Sequence, residues 1–207
     1  MANLQSDLMR LCVIIPVKRL SSSKARLASH LSLRERKDLT LKMLRLVLRA
    51  VLTVTRDVII IGSDKEVKKT SEDYDLIFEQ DRTSSLNEAV GQAIKRSIQR
   101  KFDAVLVVAA DLPFLSSVDL RRLMEELRDE SIVICPSKDC GTNALFLSPP
   151  QSIGVRFGSH SFVSHLKAAM GSRRKFKIFW SSGLSFDVDT PRDLRVAAQQ
   201  GKKLHAL

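Results

Sequence analysis

The stretch AVLVVAADLP, residues 104–113, is the clearest indication of the fold. Its first six residues are apolar without interruption, which is typical of a strand buried on both faces, as in a parallel sheet. Asp111 and Pro113 follow directly, so the sequence predicts a carboxylate at the end of a buried strand. Similar apolar runs lie at residues 11–17, 58–61, 76–78, 132–135 and 144–147.

Segments with apolar residues at helical spacing alternate with these runs. They cover residues 33–54, 85–100, 116–128, 161–170 and 191–200. Alternation of strands and helices predicts right-handed strand–helix–strand units and an α/β fold. We therefore predict a three-layer sandwich with a mostly parallel, mixed sheet. Residues 1–207 form one domain in this interpretation, and the less regular part at about 136–186 binds the substrate.

The chain is strongly basic, and its charge is unevenly distributed. Its 207 residues include 34 Lys and Arg against 23 Asp and Glu, a net charge of +11, and 44% are hydrophobic, as in an ordinary globular protein. Residues 18–49 contain ten basic and two acidic side chains, a net +8 of the total. Such a segment indicates a nucleic acid, an acidic membrane or a small polyanion as partner. We interpret the basic residues of 33–54 as a solvated helix face.

Cysteine content and the first residues bear on the compartment. Cys12, Cys135 and Cys140 form no CxxC pair, and their odd number argues against a disulfide framework. The opening MANLQSDLMR lacks the long apolar segment of a secretory signal, and no apolar run approaches the ~20 residues of a membrane span. We therefore expect a cytoplasmic protein without a membrane partner.

A loop rich in cations and hydroxyls follows the first apolar run. Residues 18–26, KRLSSSKAR, include Lys18, Lys24 and Arg26 together with three serines. Ligands of such sheets collect at the carboxyl ends of the strands, where cations and backbone N–H groups can hold phosphates. The alternative is a solvated surface turn, and the loop alone favours neither interpretation.

Three aspartates indicate a divalent metal ion. Asp187 and Asp189, in FDVDTPRDL (186–194), alternate at period two, so both carboxylates are expected on one side of an extended segment. With Asp111 they would offer hard oxygen ligands, which favour Mg²⁺ or Mn²⁺ over zinc. The alternatives are a capping role for Asp111 and an exposed strand edge for the other two.

Three short patterns could bind anions through backbone N–H groups and hydroxyls, although a turn with a helix cap is the commoner explanation of each. They are SSLN at 84–87 with Ser85 and Asn87, GTN at 141–143 with Thr142, and FGSHS at 157–161 with Gly158 and Ser161. The histidines show no metal-ligand spacing; they are His30, His160, His165 and His205. No Ser–His–Asp or RNA-binding signature is present.

Six blocks of the chain resemble, in the same order, those of the 2-phospho-L-lactate guanylyltransferases, enzymes of coenzyme F-420 biosynthesis. The blocks are PVKRLSSSKARLA, SLNEAVGQAI, AADLPFL, KDCGTNALFLSPP, RFGSHSFVSHLKAA and FDVDTPRDL, which together span about residues 11–195. The resemblance implies a nucleotidyltransferase fold like that of the enzymes that make nucleotide sugars. It implies transfer of GMP from GTP to the phosphate of 2-phospho-L-lactate, or of phosphoenolpyruvate, with release of pyrophosphate. It also implies a homodimer.

The resemblance further implies roles for individual residues. The ligands of Mg²⁺ would be Asp111, Asp187 and Asp189. The catalytic residues would be Lys18, Lys24 and Asp111, and the nucleotide would be bound by Lys18, Lys24, Arg26, Ser85 and Asn87. The phosphorylated acid would be bound by Thr142, Gly158 and Ser161.

The chain departs from the family pattern at four places. Arg19 replaces a proline, Ser85 and Cys140 each replace a glycine, and SH at 159–160 stands where the family usually has a proline and a small residue. The last change lies in the predicted acceptor loop, so the identity of the acid is left open. The preference for guanine over adenine rests on the resemblance alone.

Three other functions are compatible with parts of the sequence. A molybdenum-cofactor or sugar-phosphate nucleotidyltransferase would have the same fold, but the Gly-rich loop usual after its first strand is absent. A nucleic-acid-binding protein would explain the basic segment 18–49, yet Asp187 and Asp189 would repel such a partner, and we expect none. A non-catalytic domain would bind no nucleotide.

Overall fold

Seven strands form one sheet with helices on both of its faces. The computed structural model describes residues 9–127 and 131–200. The strands are β1 (Leu11–Pro16), β2 (Val58–Gly62), β3 (Ile77–Gln80), β4 (Ala104–Val108), β5 (Ile132–Pro136), β6 (Thr142–Leu147) and β7 (Phe176–Ile178). The helices are α1 (Leu33–Val51), α2 (Lys65–Asp73), α3 (Leu86–Gln99), α4 (Ser117–Glu126), α5 (Ser161–Gly171), α6 (Ser182–Ser185) and α7 (Pro191–Gln199), and a 3-10 turn covers Ala25–Leu27.

The strand order is β3-β2-β1-β4-β6-β5-β7. β1 pairs in parallel with β2 and β4, and β2 pairs in parallel with β3. β6 runs antiparallel to both β4 and β5, and β7 is parallel to β5. One further bond continues the β4–β6 ladder, because the N–H of Ala109 donates to the carbonyl of Asn143 (N···O 2.8 Å). The predicted α/β fold with a mostly parallel mixed sheet is confirmed.

Alternate residues of the central strands belong to two different cores. On β1, Val13 and Ile15 pack in one apolar cluster with Leu44 and other residues of α1. Cys12 and Ile14 pack in a second cluster with α3, on the opposite face of the sheet. These four side chains of β1 are fully buried. Helices on both faces therefore explain why the strand runs lack polar residues.

Most predicted segments are confirmed, with ends shifted by one to three residues. The largest shift is at α1, which ends at Val51 because residues 52–54 form a turn. β6 begins at Thr142, two residues before the apolar run, and β3 continues to Gln80. The predicted helix 116–128 is confirmed as far as Glu126; residue 128 and His205 lie outside the described residues.

The sequence does not predict α2, α6 or β7. α2 buries Val67 together with Thr70 and Ser71, so two of the three buried positions are polar and the apolar periodicity is weak. The two hydroxyls bond to carbonyls of their own helix, at Glu66 and Lys68. β7 is a three-residue edge strand with every side chain exposed, which leaves no alternation to detect.

The basic helix α1 packs on one face of the sheet, and its other side is exposed to solvent. Arg34 and Arg49 are exposed, whereas Lys42 and Arg45 are half-buried beside the apolar face. A solvated face is therefore confirmed for Arg34 and Arg49. Within the described residues, no helix is both long and apolar enough to cross a membrane.

Gly183, in the short helix α6, allows a close approach to α4, and we expect Gly183→Ala to destabilise the protein by about 2–4 kcal/mol. A β-carbon there would lie 2.3 Å from Asp119 Oδ2 and 2.8 Å from the carbonyl oxygen of Phe114. Asp119 cannot move away cheaply, because Oδ2 accepts a 3.0 Å hydrogen bond from the N–H of Ser116 in the capping box of α4.

Urea unfolding measures this change. The matched control is Gly91→Ala in the middle of α3, where an added β-carbon has no neighbour within 4 Å. The control should be neutral or stabilising by up to about 1 kcal/mol, because alanine favours helix. Equal midpoints for the two variants would contradict the close packing of α6 against α4.

Candidate active site

A cavity of about 410 Å³ opens at the end of the sheet where β1 and β4 stop. Most of the predicted site residues line it, although they are far apart in the chain. They are Lys18, Lys24, Arg26, Asp111, Thr142, Gly158, Ser161, Asp187 and Asp189. Ser85 and Asn87 do not line it. The structure thus brings together nine of the eleven residues singled out from the sequence.

The three aspartates converge on one point of this cavity. One carboxylate oxygen from each of Asp111, Asp187 and Asp189 lies within 4.8 Å of the others. A backbone hydrogen bond joins the segment of Asp187 and Asp189 to that of Asp111, because the N–H of Val188 donates to the carbonyl of Asp111 (3.3 Å). Val188 is fully buried in an apolar cluster that includes Leu27, and its neighbours Asp187 and Asp189 line the cavity.

Lys24 lies between two of these carboxylates. Its ammonium donates to Asp189 Oδ1 at 3.0 Å and also pairs with Asp111. The side chain is only 6% exposed. Burial alone would lower the pKa of Lys24, but the two carboxylates outweigh it and the pKa is raised. Conversely, the charge of Lys24 overcomes the burial of Asp189 and lowers the pKa of that carboxyl.

Backbone geometry fixes Lys24 in this position. Its φ of 51° lies in the left-handed region, which is unfavourable for a residue with a β-carbon and is common at functional sites. His160, which also lines the cavity, has φ 54°. Two left-handed non-glycine residues therefore face the same cavity.

Lys138 is a site residue that the sequence reasoning missed. Its ammonium donates to Asp187 Oδ1 (3.1 Å) and to the Asp187 carbonyl (2.7 Å), and lies 3.4 Å from Asp193 Oδ1. These partners raise the pKa of Lys138 despite its partial burial. The pKa of Asp187 is nevertheless raised, because burial and the charge of Asp111 outweigh Lys138. Lys138 lies two residues beyond β5, so the rule that selected Lys18 and Asp111 could have found it.

The donor set fits a hard divalent cation. Three carboxylates this close repel one another unless a positive charge lies among them. In the structure, the ammonium of Lys24 provides such a charge to Asp111 and Asp189. Carboxylate oxygens alone are the ligand type that Mg²⁺ and Mn²⁺ prefer.

The remaining cations border the cavity without being buried in it. Lys18 lines it, and its charge contributes to the lowered pKa of Asp189. Arg26 lies 4.0 Å from Asp189 Oδ2 with 73% of its side chain exposed. Arg36 of α1 supports the loop, because its Nη1 donates to the carbonyl of Ser23 (2.9 Å). Arg36 is thus an exception to the solvated face predicted for the basic helix.

Ser85 and Asn87 have partners other than the cavity. Ser85 is the N-cap of α3, and its hydroxyl accepts the N–H of Glu88 at 3.3 Å. The amide of Asn87 pairs with the backbone of Phe157 in both directions, accepting its N–H (2.6 Å) and donating to its carbonyl (2.9 Å). Asn87 therefore anchors the loop that contains Gly158. A direct contact of either residue with a nucleotide stays a prediction.

The predicted acceptor residues Thr142, Gly158 and Ser161 all line the cavity. Gly158 has φ 133°, a conformation that residues with a β-carbon rarely adopt. Ser161, at the start of α5, and Thr142, at the start of β6, are both buried. Thr142 Oγ1 is 2.9 Å from Nδ1 of His165, a fully buried residue of α5.

Burial favours the neutral form of His165 near pH 7, and we expect this residue to make stability depend on pH. Burial, together with the charge of Arg156, lowers its pKa to about 4 from an ordinary 6.5. Below pH 6.5 the unfolded chain binds a proton that the folded protein excludes, so the free energy of unfolding should fall as the pH drops from 6.5 to 4. The contribution lost by pH 4 is about 3 kcal/mol.

Urea unfolding of the wild type and of His165→Gln at pH 7 and pH 4.5 tests this expectation. Other groups titrate in both proteins, so the difference between the two curves reports His165. The wild type should lose more stability than the variant. If the free energy of unfolding of the two proteins changed equally with pH, His165 would bind its proton as well in the folded protein as in the unfolded chain.

The sequence of this chain was compared with known families and proteins. Residues 11–206 match the model of a family described as "Guanylyl transferase CofC like". The phosphoenolpyruvate guanylyltransferase of Sphaerobacter thermophilus is 35% identical over 189 residues, covering 89% of this chain and 91% of the relative. The 2-phospho-L-lactate guanylyltransferase of Methanocaldococcus sp. (strain FS406-22) is 33% identical over 184 residues, covering 88% and 78%.

Solved structures show the same architecture. A Desulfovibrio desulfuricans G20 protein, described as a nucleotide-diphospho-sugar transferase, superposes with a TM-score of 0.78 at 18% identity. The match covers 95% of this chain and 89% of that one. The nucleotidyltransferase type of the fold is thereby confirmed.

Proposed function

The chain belongs to the family of CofC-like guanylyl transferases, and we propose that it transfers GMP from GTP to a small phosphorylated acid. The acid is 2-phospho-L-lactate or phosphoenolpyruvate, the compounds for which its relatives are named. Pyrophosphate is the second product. The guanylylated acid would serve coenzyme F-420 biosynthesis, as the sequence blocks imply.

The observation that supports this proposal is the shared cavity. Asp111, Asp187 and Asp189 converge in it with Lys24 among them, and Thr142 and the loop around Gly158 line the same cavity. The two groups have complementary chemistry, since the carboxylates with Lys24 suit a triphosphate with its cation and the second group offers hydroxyl and N–H donors to a smaller anion. A reaction between two anions needs such an arrangement.

In the proposed reaction, an oxygen of the acid's phosphate attacks the α-phosphorus of GTP. The bond from the α-phosphorus to the oxygen that bridges to the β-phosphate breaks, and pyrophosphate leaves. No protein nucleophile is needed, and no strong general base, because a phosphate monoester is largely ionised near neutral pH. Lys18 and Lys24 bind the triphosphate and stabilise its developing negative charge.

Asp111, Asp187 and Asp189 would hold Mg²⁺, with Mn²⁺ as the alternative. When bound, the ion supplies Lewis-acid stabilisation of charge on the phosphoryl oxygens. Lys138 holds Asp187 in position through hydrogen bonds to its carboxylate and to its backbone carbonyl. The same ammonium also pairs with Asp193.

A pyrophosphate-release assay that crosses GTP and ATP with three acids tests the proposal. The acids are 2-phospho-L-lactate, phosphoenolpyruvate and phosphoglycerate, each with Mg²⁺, with Mn²⁺ and with chelator. GTP with one of the first two acids should give a signal that the chelator removes. An Asp111→Asn preparation run in parallel excludes a contaminating enzyme, and silence in every combination would refute the proposal.

Two further expectations accompany this function. A homodimer, which the family resemblance implies, is tested by light scattering of the purified protein. The cytoplasmic location stays a prediction from the sequence.

A further inference from the structure

We propose that His165 is a positioning residue that turns the Thr142 hydroxyl into a hydrogen-bond donor aimed at the anionic acceptor. The inference rests on the proposed function, because it concerns how the acid is bound. It adds a residue that does not line the cavity and that acts only through Thr142.

The hydrogen bond at Nε2 determines the tautomer of the His165 imidazole. The backbone N–H of Arg156 donates to His165 Nε2 at 2.8 Å. A backbone N–H can only donate, so Nε2 must carry a lone pair rather than a hydrogen. A neutral imidazole then has its hydrogen on Nδ1, and a protonated ring would set two N–H groups against each other at Nε2.

The tautomer in turn determines the direction of the bond to Thr142. Nδ1 lies 2.9 Å from Thr142 Oγ1, and with its hydrogen on Nδ1 the imidazole must be the donor. The threonine oxygen therefore accepts, and its own hydrogen points elsewhere. Among residues 9–127 and 131–200, no group accepts that hydrogen. Thr142 lines the cavity, so the free hydrogen is available to an oxygen of a bound anion.

Packing and hydrogen bonds keep the imidazole rigid. His165 is fully buried, and the ring of Phe157 packs edge-on against it with centroids 5.0 Å apart. The backbone of Phe157 is in turn held by Asn87 through two hydrogen bonds. The imidazole thus has one orientation, and a fixed donor loses little entropy when the acceptor binds.

Two substitutions at His165 separate this role from a merely structural one. In His165→Asn, the amide nitrogen can take the position of Nδ1 and keep the bond to Thr142, while the partner of the Arg156 N–H is lost. In His165→Gln, the amide oxygen can reach the position of Nε2 and keep the Arg156 bond, while the donor to Thr142 is lost.

The expected result is a split between KM values. His165→Gln and Thr142→Val should raise the KM for the acid about tenfold, the loss expected for one hydrogen bond to a charged group, and leave the KM for GTP within twofold. His165→Asn and Thr142→Ser should keep the KM for the acid near that of the wild type. If the asparagine variant loses the acid and the glutamine variant binds it normally, His165 only holds the loop at Arg156 and the inference is wrong.

A double substitution makes the test stricter. Thr142→Val combined with His165→Gln should have the same KM for the acid as Thr142→Val alone, because His165 acts through that hydroxyl. Multiplying losses would contradict the inference. Thr70→Val is the matched control, since Thr70 is also buried and its hydroxyl donates to the carbonyl of Glu66 in its own helix.

Imidazole ¹⁵N NMR distinguishes this inference from the function on which it rests. The spectrum of the wild type should show His165 with the hydrogen on Nδ1, assigned by the signal that disappears in His165→Gln. The Nε2–H form would overturn the inference even if the enzyme is active. Conversely, a wild type that guanylylates no acid but shows the Nδ1–H form would refute the proposed function and leave the positioning of Thr142 standing.

Discussion

Replacing Asp111 with asparagine is expected to lower kcat by about three orders of magnitude. Asp111 is one of three carboxylates with oxygens within 4.8 Å, and asparagine removes the charge while keeping the size. If the three carboxylates hold a cation as proposed, loss of one anionic ligand would weaken its binding and with it the stabilisation of the transferred phosphoryl group. Pyrophosphate release at saturating GTP and acid measures the effect.

The same substitution should leave the fold intact. Asp111 is only partly buried, and its charge helps to raise the pKa of Asp187, so its removal relieves a repulsion that offsets the lost pair with Lys24, which keeps Asp189 as a partner. The free energy of unfolding should stay within about 1 kcal/mol of the wild type. Asp57→Asn is the matched control, because this exposed residue directly precedes β2. It therefore lies at the amino end of a strand, whereas Asp111 follows the carboxyl end of β4. Retention of a tenth of the activity in Asp111→Asn would contradict the metal site.

Replacing Lys24 with methionine is expected to lower kcat/KM for GTP by about two to three orders of magnitude. The ammonium is nearly buried beside Asp111 and Asp189, and in the proposed reaction it would neutralise the phosphates. Methionine has a similar length and flexibility but no charge. Lys69→Met on the exposed side of α2 is the matched control and should leave turnover unchanged.

Lys24→Met should also tighten the binding of Mn²⁺ in the absence of nucleotide. In the structure, the ammonium occupies oxygens of Asp111 and Asp189 that the metal would use, so the two cations compete. Titration of Mn²⁺, followed by electron paramagnetic resonance, measures the affinity. An unchanged affinity would show that Lys24 does not occupy metal-ligand positions in solution.

Much of the sheet could be predicted from the sequence because its strands are apolar on both faces. β1 and β4 are buried along their whole length or nearly so, and no polar residue interrupts the signal. The edge strand β7 could not be predicted, since its three exposed residues follow no pattern. α2 could not be predicted for a different reason. Thr70 and Ser71 are polar but buried, because their hydroxyls bond to carbonyls of the helix itself, and this weakens the apolar pattern.

The charged half of the site could be predicted because its residues follow strand ends. Asp111 and Lys18 lie directly after apolar runs, and the spacing of Asp187 and Asp189 indicates a shared side. The pairing of Asn87 with the backbone of Phe157 could not be predicted, because 70 residues separate the two and no periodicity relates them. The same holds for His165, whose role depends on the N–H of Arg156 and the hydroxyl of Thr142 meeting at opposite nitrogens.

The antiparallel strand β6 has an evolutionary consequence. It links β4, which leads to Asp111, to β5 through backbone hydrogen bonds, and a further one joins Ala109 to Asn143 in the lining of the cavity. Such bonds do not depend on which side chains the strands carry, so substitutions in the loop around Gly158 would leave the backbone spacing of these strands unchanged. On the proposed function, one phosphorylated acid would therefore be exchanged for another by point substitution on a constant frame. Relatives named for two different acids, at 35% and 33% identity to this chain, are the outcome that such a frame permits.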